Sequence, residues 1–173
     1  MSDITIAIMD AAERRMRIGG FSGFSFREIA ADVGIKSSSV HYHFPTKEDL
    51  AAAVIRRYTA DVSDRMDQEL QKDKDPVHVW TETFRGKWIS QGKMCPCTML
   101  AAASLDLPEK VATEVKRFFR MSLDKLRSAG MSEAAAAEFY STLIGAMVVS
   151  VALGEPAVFN HAVHDPQDLR AVA

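Results

Sequence analysis

Six neighbouring side chains in this sequence have types and spacing suited to hydrogen bonding with a nucleic acid. They comprise three hydroxyls, two imidazoles and one phenol: Ser37, Ser38, Ser39, His41, Tyr42 and His43. Such groups reach phosphates and base edges without carrying net charge. Taken alone, a polar run of this kind is also typical of a solvated surface. His41 and His43 do not predict a metal site, because residues two apart on a helix cannot face one ion.

A second group of residues that could be reactive is the pair Cys95 and Cys97, which flanks Pro96 at the start of an apolar segment. Cysteines at a helix amino terminus and near a lysine can have a lowered thiol pKa and react with oxidants or electrophiles. A disulfide within the pair would be strained, so a bridge to another chain or an adduct is the chemistry favoured by this spacing. The alternative is two small, buried apolar residues.

Catalysis and metal chemistry are not expected from the remaining residues. A cysteine nucleophile needs a base and an orienting acid, and the histidines outside the polar run, His78, His161 and His164, belong to no recognisable motif. Two cysteines alone would not hold zinc. We therefore expect no enzymatic activity, no catalytic residues, no metal and no cofactor.

The elements that position these side chains are predicted to be helices throughout, so the fold class is all-α. Apolar residues at helical spacing indicate a first helix over about 4–18 and a second over 26–32, which a capping box at its start supports. A turn at Gly34 separates the second helix from a third over 37–43, which ends before a proline. Further helices are expected at about 47–72, 77–91, 97–106, 109–129, 132–153 and 156–163.

Two short helices around a glycine-containing turn are the layout of a helix-turn-helix, whose second helix enters the major groove of DNA. The residues expected to pack these helices together are Ile29, Ala30, Val33, Ile35, Val40 and Phe44. With those positions facing inward, the hydroxyl, imidazole and phenol groups of 37–43 are left facing outward. The pattern therefore predicts DNA contact by the third helix.

At these positions the sequence resembles the TetR/AcrR family of transcriptional regulators. The run from Gly20 to Ala30, Gly-Phe-Ser-Gly-Phe-Ser-Phe-Arg-Glu-Ile-Ala, is similar to the family segment that leads into its second helix. The run from Val40 to Leu50, Val-His-Tyr-His-Phe-Pro-Thr-Lys-Glu-Asp-Leu, is similar to its recognition helix and the start of its fourth helix. The resemblance is close over residues 4–58 and looser beyond them.

The resemblance implies DNA contacts for particular side chains. Tyr42 and His43 would lie near the DNA backbone and base edges. Lys47 would neutralise a phosphate, aided by the amides at the start of the fourth helix. Ser25 and Arg27 would touch phosphate beside the second helix.

Two residues depart from the family pattern, and both belong to the predicted DNA-binding set. Lys36 stands where the family usually has a Ser or Thr cap, so it would add a phosphate contact at some cost to capping. His41 replaces the commoner tyrosine, and a contact made by histidine depends on pH near neutrality. Thr46 caps the fourth helix and completes the set.

The resemblance also implies a helix-turn-helix DNA-binding domain over 1–46 and a helical effector-binding and dimerisation domain over 47–173. Large, adaptable side chains of the second domain suit the core, and some would line a cavity for an apolar effector. The residues assigned to this effector pocket are Trp80, Phe84, Trp88, Met99, Phe118, Met121, Phe139 and Tyr140.

The segment 134–153 is apolar nearly all round, so it is expected to be buried on both faces. One face, with Phe139, Leu143 and Met147, would serve the protein's own core. The other face would contact a second copy of the chain, and its residues are Ile144, Gly145, Val148, Val151 and Ala152. A two-fold dimer suits a palindromic operator, because each copy presents one recognition helix. The alternative is a monomer with this helix at its centre.

The chain is expected to be cytoplasmic, because its two cysteines stand one residue apart and cannot form a disulfide framework. Hydrophobic residues make up 47% and the formal net charge is −2, so DNA binding must depend on local charge rather than on bulk charge. No secretory signal is expected. The longest apolar stretch is interrupted by Glu138 and leaves about fifteen residues, fewer than the roughly 20 of a membrane span. No membrane partner is therefore expected.

The function expected from these features is ligand-responsive repression: a homodimer binds palindromic operator DNA and a small effector releases it. One alternative is a thiol-based sensor repressor that uses Cys95 and Cys97. Another is a helix-turn-helix scaffold that acts through protein contacts, which the near-neutral charge of residues 1–60 leaves open. The effector, the operator sequence and the regulated genes do not follow from the sequence.

Overall fold

The computed structural model describes residues 2–73, 75–86, 94–103 and 105–163, and every regular element in this part of the chain is helical. A short 3₁₀ helix (Phe21–Gly23) follows the first α-helix. The α-helices are α1 (Asp3–Gly19), α2 (Phe26–Val33), α3 (Ser37–His43), α4 (Lys47–Lys72), α5 (Pro76–Phe84), α6 (Pro96–Ala101), α7 (Glu109–Ser128), α8 (Glu133–Leu153) and α9 (Pro156–Ala162). The all-α fold class predicted from the sequence is confirmed.

Side-chain caps and left-handed glycines determine where several helices begin and end. The Ser2 hydroxyl accepts the amide of Thr5 at the start of α1, and Ser132 caps α8 in the same way. The Asp75 carboxylate caps α5, whose first residue is a proline. Gly34 ends α2 with φ 74°, a left-handed conformation that costs other residues more than glycine.

The chain forms two compact units, of which unit 1 comprises Met1–Asp61 and Cys95–Phe119. Within it, α1 packs against α2 and α6, and α2 packs against α3. The fully buried side chains include Ile8, Met16, Ile29, Val40, Leu50 and Ile55. Arg57 on α4 pairs with Asp10 (2.8 Å) and Glu13 (3.0 Å) of α1. These contacts fix α1 relative to the first turns of α4.

A further ion-pair cluster in unit 1 joins α1 to α2. The Arg15 guanidinium bonds Asp32 at 2.6 Å and Glu28 at 3.1 Å, and the pKa of each carboxyl is lowered. For Asp32 the largest cause is the hydrogen bond from Arg15, whereas for Glu28 it is the hydrogen bond from Ser25. The helix that precedes the turn is therefore held at both of its ends.

Unit 2 comprises Val62–Met94 and Arg120–Ala173. In its described part, α8 packs against α5 and α9. Its buried centre is an aromatic cluster of Trp80, Phe84 and Tyr140, with ring centroids 5.5 to 6.4 Å apart. The Tyr140 hydroxyl lies 3.1 Å from the Ser122 hydroxyl of α7.

Most helices lie where the sequence predicts them, and one is shorter. The predicted helix over 97–106 ends at Ala101, because the chain turns at 102–103 and again before Pro108. The predicted helix over 77–91 is described to Phe84, and residues 87–93 lie outside the described residues. The 3₁₀ helix before α2 has no counterpart in the prediction. The division at 46/47 separates the chain by function and stays a prediction.

Candidate nucleic-acid interface

The third helix presents a polar surface because its buried face consists of one residue, Val40. Val40 has no exposed surface, and Phe44 just beyond the helix is also buried. Tyr42 is 86% exposed, an unusual environment for a large aromatic side chain. Ser38 and His41 are exposed, and Ser37, Ser39 and His43 are half-buried. The predicted outward face of α3 is therefore accessible, with Tyr42 as its most prominent group.

Two cations beside this face are available for an anion. Arg27 on α2 and Lys36 before α3 are both exposed. Neither forms an ion pair with any residue that the structure describes. Lys36 precedes α3 without a side-chain capping bond, as the departure from the family pattern predicts. Both charges can therefore be used for phosphate.

Lys47, the third predicted cation, lies over aromatic rings. Its Nζ atom is 4.5 Å from the centroid of the Phe21 ring and 4.7 Å from that of Phe24. Burial lowers the pKa of this lysine, and the nearby charges of Glu28 and Glu48 oppose the shift. The cation–π contacts hold the ammonium at the start of α4 before any DNA arrives.

Ser25 and Thr46 form helix caps, which limits what else their hydroxyls do. The Ser25 hydroxyl donates to the Glu28 carboxylate (2.8 Å) and accepts the Glu28 amide (3.3 Å). Thr46 makes the same pair of bonds to Asp49, at 2.8 and 3.1 Å. Their proposed share in the DNA interface is therefore to fix the starts of α2 and α4.

The two imidazoles of α3 have different surroundings. The His41 ring packs edge-on against Phe26, with centroids 4.6 Å apart. The Nδ1 atom of His43 lies 3.2 Å from the hydroxyl of Thr5 on α1. Thr5 is absent from the set predicted on sequence, since a threonine near a chain start carries no motif signal. This contact joins the first helix to the end of the third.

The residues predicted for an effector pocket are distributed over both units. Trp80, Phe84 and Tyr140 come together in the aromatic cluster of unit 2, where Met121 and Phe139 are half-buried. Met99 and Phe118 belong to unit 1. Trp88 lies outside the described residues.

Two buried polar atoms on α5 have no hydrogen-bond partner among the described residues. They are the indole Nε1 of Trp80 and the hydroxyl of the next residue, Thr81. Buried donors without a partner are rare and costly in proteins. A separate open groove on unit 2 is lined by Asp67, Leu70, Lys125, Ser128, Ala129 and Gly130, and it includes none of the predicted pocket residues.

The eighth helix is buried along one face only. Leu143, Ala146, Met147 and Ser150 are buried, whereas the five residues predicted for the dimer interface all keep exposed surface: Ile144, Gly145, Val148, Val151 and Ala152. Val148 is 38%, Val149 47% and Leu153 58% exposed. A single chain therefore leaves an apolar face of α8 in contact with water.

By length and composition, Glu133–Leu153 could also cross a membrane, with mean hydropathy 1.6 and 33% of its most apolar window buried. Glu138 interrupts the apolar run, but the whole helix is still long and apolar enough to cross a membrane. An interface helix of a protein passes the same test, since it is apolar on both faces. The feature is thus weak support for a membrane span.

Both cysteines are buried at the start of α6. Cys95 and Cys97 have no exposed surface, so a bridge to another chain would require this part of unit 1 to open. The Tyr58 hydroxyl donates to the Cys95 sulfur at 3.5 Å. Burial of both sulfurs agrees with the alternative in which they are core residues.

The two thiols differ in acidity. Burial opposes ionisation of Cys95 most strongly, but hydrogen bonds from Cys97, Tyr58 and the amide of Thr98 outweigh it and lower its pKa from 9.0 to about 6. Burial raises the pKa of Cys97 well above its ordinary value, so this thiol stays protonated as the donor.

Because Cys95 is more acidic in the folded protein than in the unfolded chain, its ionisation stabilises the fold. The contribution is complete above pH 9 and is lost as the pH falls through about 6. We expect the free energy of unfolding in urea to rise more between pH 6 and pH 9 for the wild type than for Cys95→Ala. Identical pH profiles for the two proteins would show that Cys95 is not ionised in the fold.

Among the described residues there is no group of three or more His, Cys, Asp or Glu side chains arranged to hold a metal ion. The site that the geometry defines is the polar and cationic surface of α2, α3 and the start of α4. Its exposed hydroxyl, phenol and cationic groups are of the types that bond anionic oxygens.

Comparison with known proteins agrees with this geometry. Residues 8–54 match the family model described as bacterial regulatory proteins, tetR family. A TetR-family transcriptional regulator from Agrobacterium tumefaciens is 28% identical with a TM-score of 0.85, covering 92% of this chain and 93% of that one. A TetR regulator from Legionella pneumophila is 25% identical with a TM-score of 0.85, covering 95% of each chain.

A more distant structure shares the fold alone. FadR from Bacillus subtilis, solved in complex with stearoyl-CoA, is 13% identical with a TM-score of 0.73, covering 91% of this chain and 95% of that one. A comparison with curated protein sequences found no match. The similar structures span nearly the whole chain, whereas the family model covers the helix-turn-helix region.

Proposed function

Because this chain belongs to the TetR/AcrR family of transcriptional regulators, we propose that it is a ligand-responsive repressor that binds palindromic operator DNA as a homodimer. Regulators of this family are soluble cytoplasmic DNA-binding proteins and are generally not enzymes. The observation that carries the proposal is the exposed face of α3, on which Tyr42 is 86% exposed. Arg27 and Lys36, which precede this face in sequence, are exposed and form no ion pair with a described residue.

The two ends of α3 are proposed to contact different parts of the DNA. Residues at the start of a recognition helix reach base edges, so Ser37 and Ser38 are the proposed base-reading groups. Tyr42 and His43 at the other end, with Arg27, Lys36 and Lys47, are proposed to contact phosphates. The helix N-termini of α2 and α4, fixed by Ser25 and Thr46, add their amides to the same contacts.

The exposed apolar face of α8 supports the proposed dimer. Val148, Val149 and Leu153 expose apolar area that a partner helix would remove from water. The open position at Gly145 lets two helices approach closely, since nothing lies within 4 Å of a Cβ built there. A second copy of α8 is the proposed partner, because a two-fold dimer presents two recognition helices to a palindrome.

The aromatic cluster of unit 2 supports a proposed effector site. Trp80, Phe84 and Tyr140 offer apolar surface, and the Trp80 Nε1 and the Thr81 hydroxyl, which bond no described residue, offer donors. We propose an apolar or aromatic effector that carries a hydrogen-bond acceptor, such as a carbonyl or carboxylate. The related fold of FadR holds stearoyl-CoA. An effector that prefers a conformer with misplaced recognition helices would release DNA.

The proposal is tested on DNA taken from upstream of the protein's own gene, or on genomic fragments selected by binding if that DNA fails. We expect Tyr42→Ala to weaken specific binding by roughly ten-fold, since a dimer loses two phosphate contacts. Gln68→Ala, an exposed substitution on α4, is the control and should bind like the wild type. Aromatic carbonyl compounds and carboxylic acids are then screened for release of the same complex.

Equal binding by wild type and Tyr42→Ala would place the DNA contact elsewhere. Absence of specific binding to any genomic fragment would favour a scaffold that acts through protein contacts.

A further inference from the structure

A chain of hydrogen bonds connects the first turn of α1 to the last residue of α3. The Ser2 and Thr5 hydroxyls are 2.8 Å apart, and the Thr5 hydroxyl is 3.2 Å from Nδ1 of His43. The Ser2 hydroxyl also accepts the Thr5 amide at 3.3 Å as the cap of α1. The contact between Thr5 and His43 spans 38 residues of sequence, so the tertiary fold creates it.

From this geometry we infer that Thr5 is a positioning residue that makes His43 a dedicated hydrogen-bond donor toward a DNA phosphate. This inference rests on the proposed DNA-binding function and adds a residue and a histidine tautomer to it. Thr5 itself is not proposed to contact DNA; it acts through the imidazole of His43.

The proposed direction of the hydrogen bonds gives each of the two hydroxyls one donated and one accepted bond. A neutral imidazole has one N–H donor and one acceptor nitrogen. Ser2 already accepts the Thr5 amide, so its own proton is available to the Thr5 oxygen. The Thr5 proton then goes to Nδ1 of His43, and each hydroxyl donates once and accepts once. In the reverse order the Ser2 oxygen, which has two lone pairs, would accept both the amide and the hydroxyl of Thr5, and Nδ1 of His43 would carry the proton. The tautomer of His43 therefore distinguishes the two orders.

When Nδ1 accepts the Thr5 proton, the histidine proton is on Nε2. The ring therefore offers an N–H donor on the edge that is not bound to α1. An unrestrained ring can rotate and present its acceptor nitrogen, which repels a phosphate oxygen. The neighbouring Tyr42 ring packs edge-on at 5.3 Å and adds a second restraint. Both contacts reduce the rotational freedom that His43 would lose on binding.

The position of His43 favours phosphate over a base edge as the acceptor. Base contacts come mainly from the start of a recognition helix, whereas His43 is the last residue of α3. The contact also ties the DNA-binding surface to α1, whose opposite end is paired with α2 through Arg15. A displacement of the first turn of α1 would thus move the His43 imidazole that is proposed to bond a DNA phosphate.

The experiment compares Thr5→Val, which keeps the branched shape and removes the hydroxyl, with Thr5→Ser, which keeps the hydroxyl. Side-chain ¹⁵N NMR of the DNA-free protein at alkaline pH reads the tautomer of His43. Titration onto operator DNA reads the affinity. Circular dichroism and thermal unfolding confirm that each variant is folded.

We expect wild type and Thr5→Ser to carry the proton on Nε2, and Thr5→Val to show a mixture of tautomers. We expect Thr5→Val to bind operator roughly ten-fold more weakly, because a dimer contains two such histidines, and Thr5→Ser to restore most of the affinity. In a His43→Phe background, Thr5→Val should have no further effect.

A wild-type proton on Nδ1 would overturn the inference, as would equal affinity and tautomer in wild type and Thr5→Val. The NMR result does not depend on DNA. A protein with the Nε2 tautomer that binds no genomic DNA would refute the proposed function and the phosphate role, while the relay between Thr5 and His43 would stand.

Discussion

A Gly145→Arg substitution is expected to convert the protein from a dimer to a monomer and to weaken operator binding by at least about 100-fold. In a single chain nothing lies within 4 Å of a Cβ at Gly145, so the new side chain has room. Arginine is also the better helix former by up to about 1 kcal/mol. The fold should therefore survive, and only a partner helix would be displaced by the bulk and charge.

The matched control is Gly19→Arg, which places the same side chain at another open glycine of a helix. Sedimentation or light scattering should find a dimer for the wild type and this control. A Gly145→Arg protein that remains dimeric with wild-type affinity would move the interface away from α8.

Replacing both Arg27 and Lys36 by glutamine is expected to weaken operator binding by about 100-fold and to flatten its dependence on salt. Both cations are exposed and unpaired within the described residues, so their charges are available to DNA. A dimer would lose four phosphate contacts, and each contributes about 0.9 to the slope of log affinity against log salt. The slope should thus fall by about 3 to 4.

The control replaces Lys116 and Arg120 of α7 by glutamine, which removes the same charge from exposed positions far along the sequence. This control should keep the wild-type salt slope. If both double variants weaken binding equally, net charge rather than the surface of α2 and α3 governs the interaction.

The helices and their order could be predicted because caps, turn residues and apolar spacing along the sequence agree with the helix bounds in the structure. Ser25 and Glu28 form the capping box that their spacing indicates, and Gly34 adopts the left-handed conformation that a turn needs. Within one chain α8 is buried along one face only, with Leu143 and Met147 buried and Val148 exposed, so burial of its second face by another copy stays a prediction. These features depend on residues within a few positions of one another.

Contacts between distant residues could not be predicted in the same way. The pairing of Thr5 with His43 and the placement of Lys47 over Phe21 arise only when separate helices meet. The bond from Tyr58 to Cys95 likewise depends on how α4 lies against α6, and together with the hydrogen bonds from Cys97 and Thr98 it lowers the pKa of that thiol. Residue types and spacing indicate which side chains could bind a ligand. The packing of the helices determines which of those side chains already bond another residue of the protein.

The most direct measurement of the central claim is a titration of the wild-type protein onto the DNA upstream of its gene at two salt concentrations. Nonspecific DNA of equal length serves as the comparison. We predict saturable binding that is at least about 1,000-fold tighter on the specific DNA and falls steeply as salt increases. Binding that is equal on both DNAs, or insensitive to salt, would contradict the conclusion that α3 reads an operator.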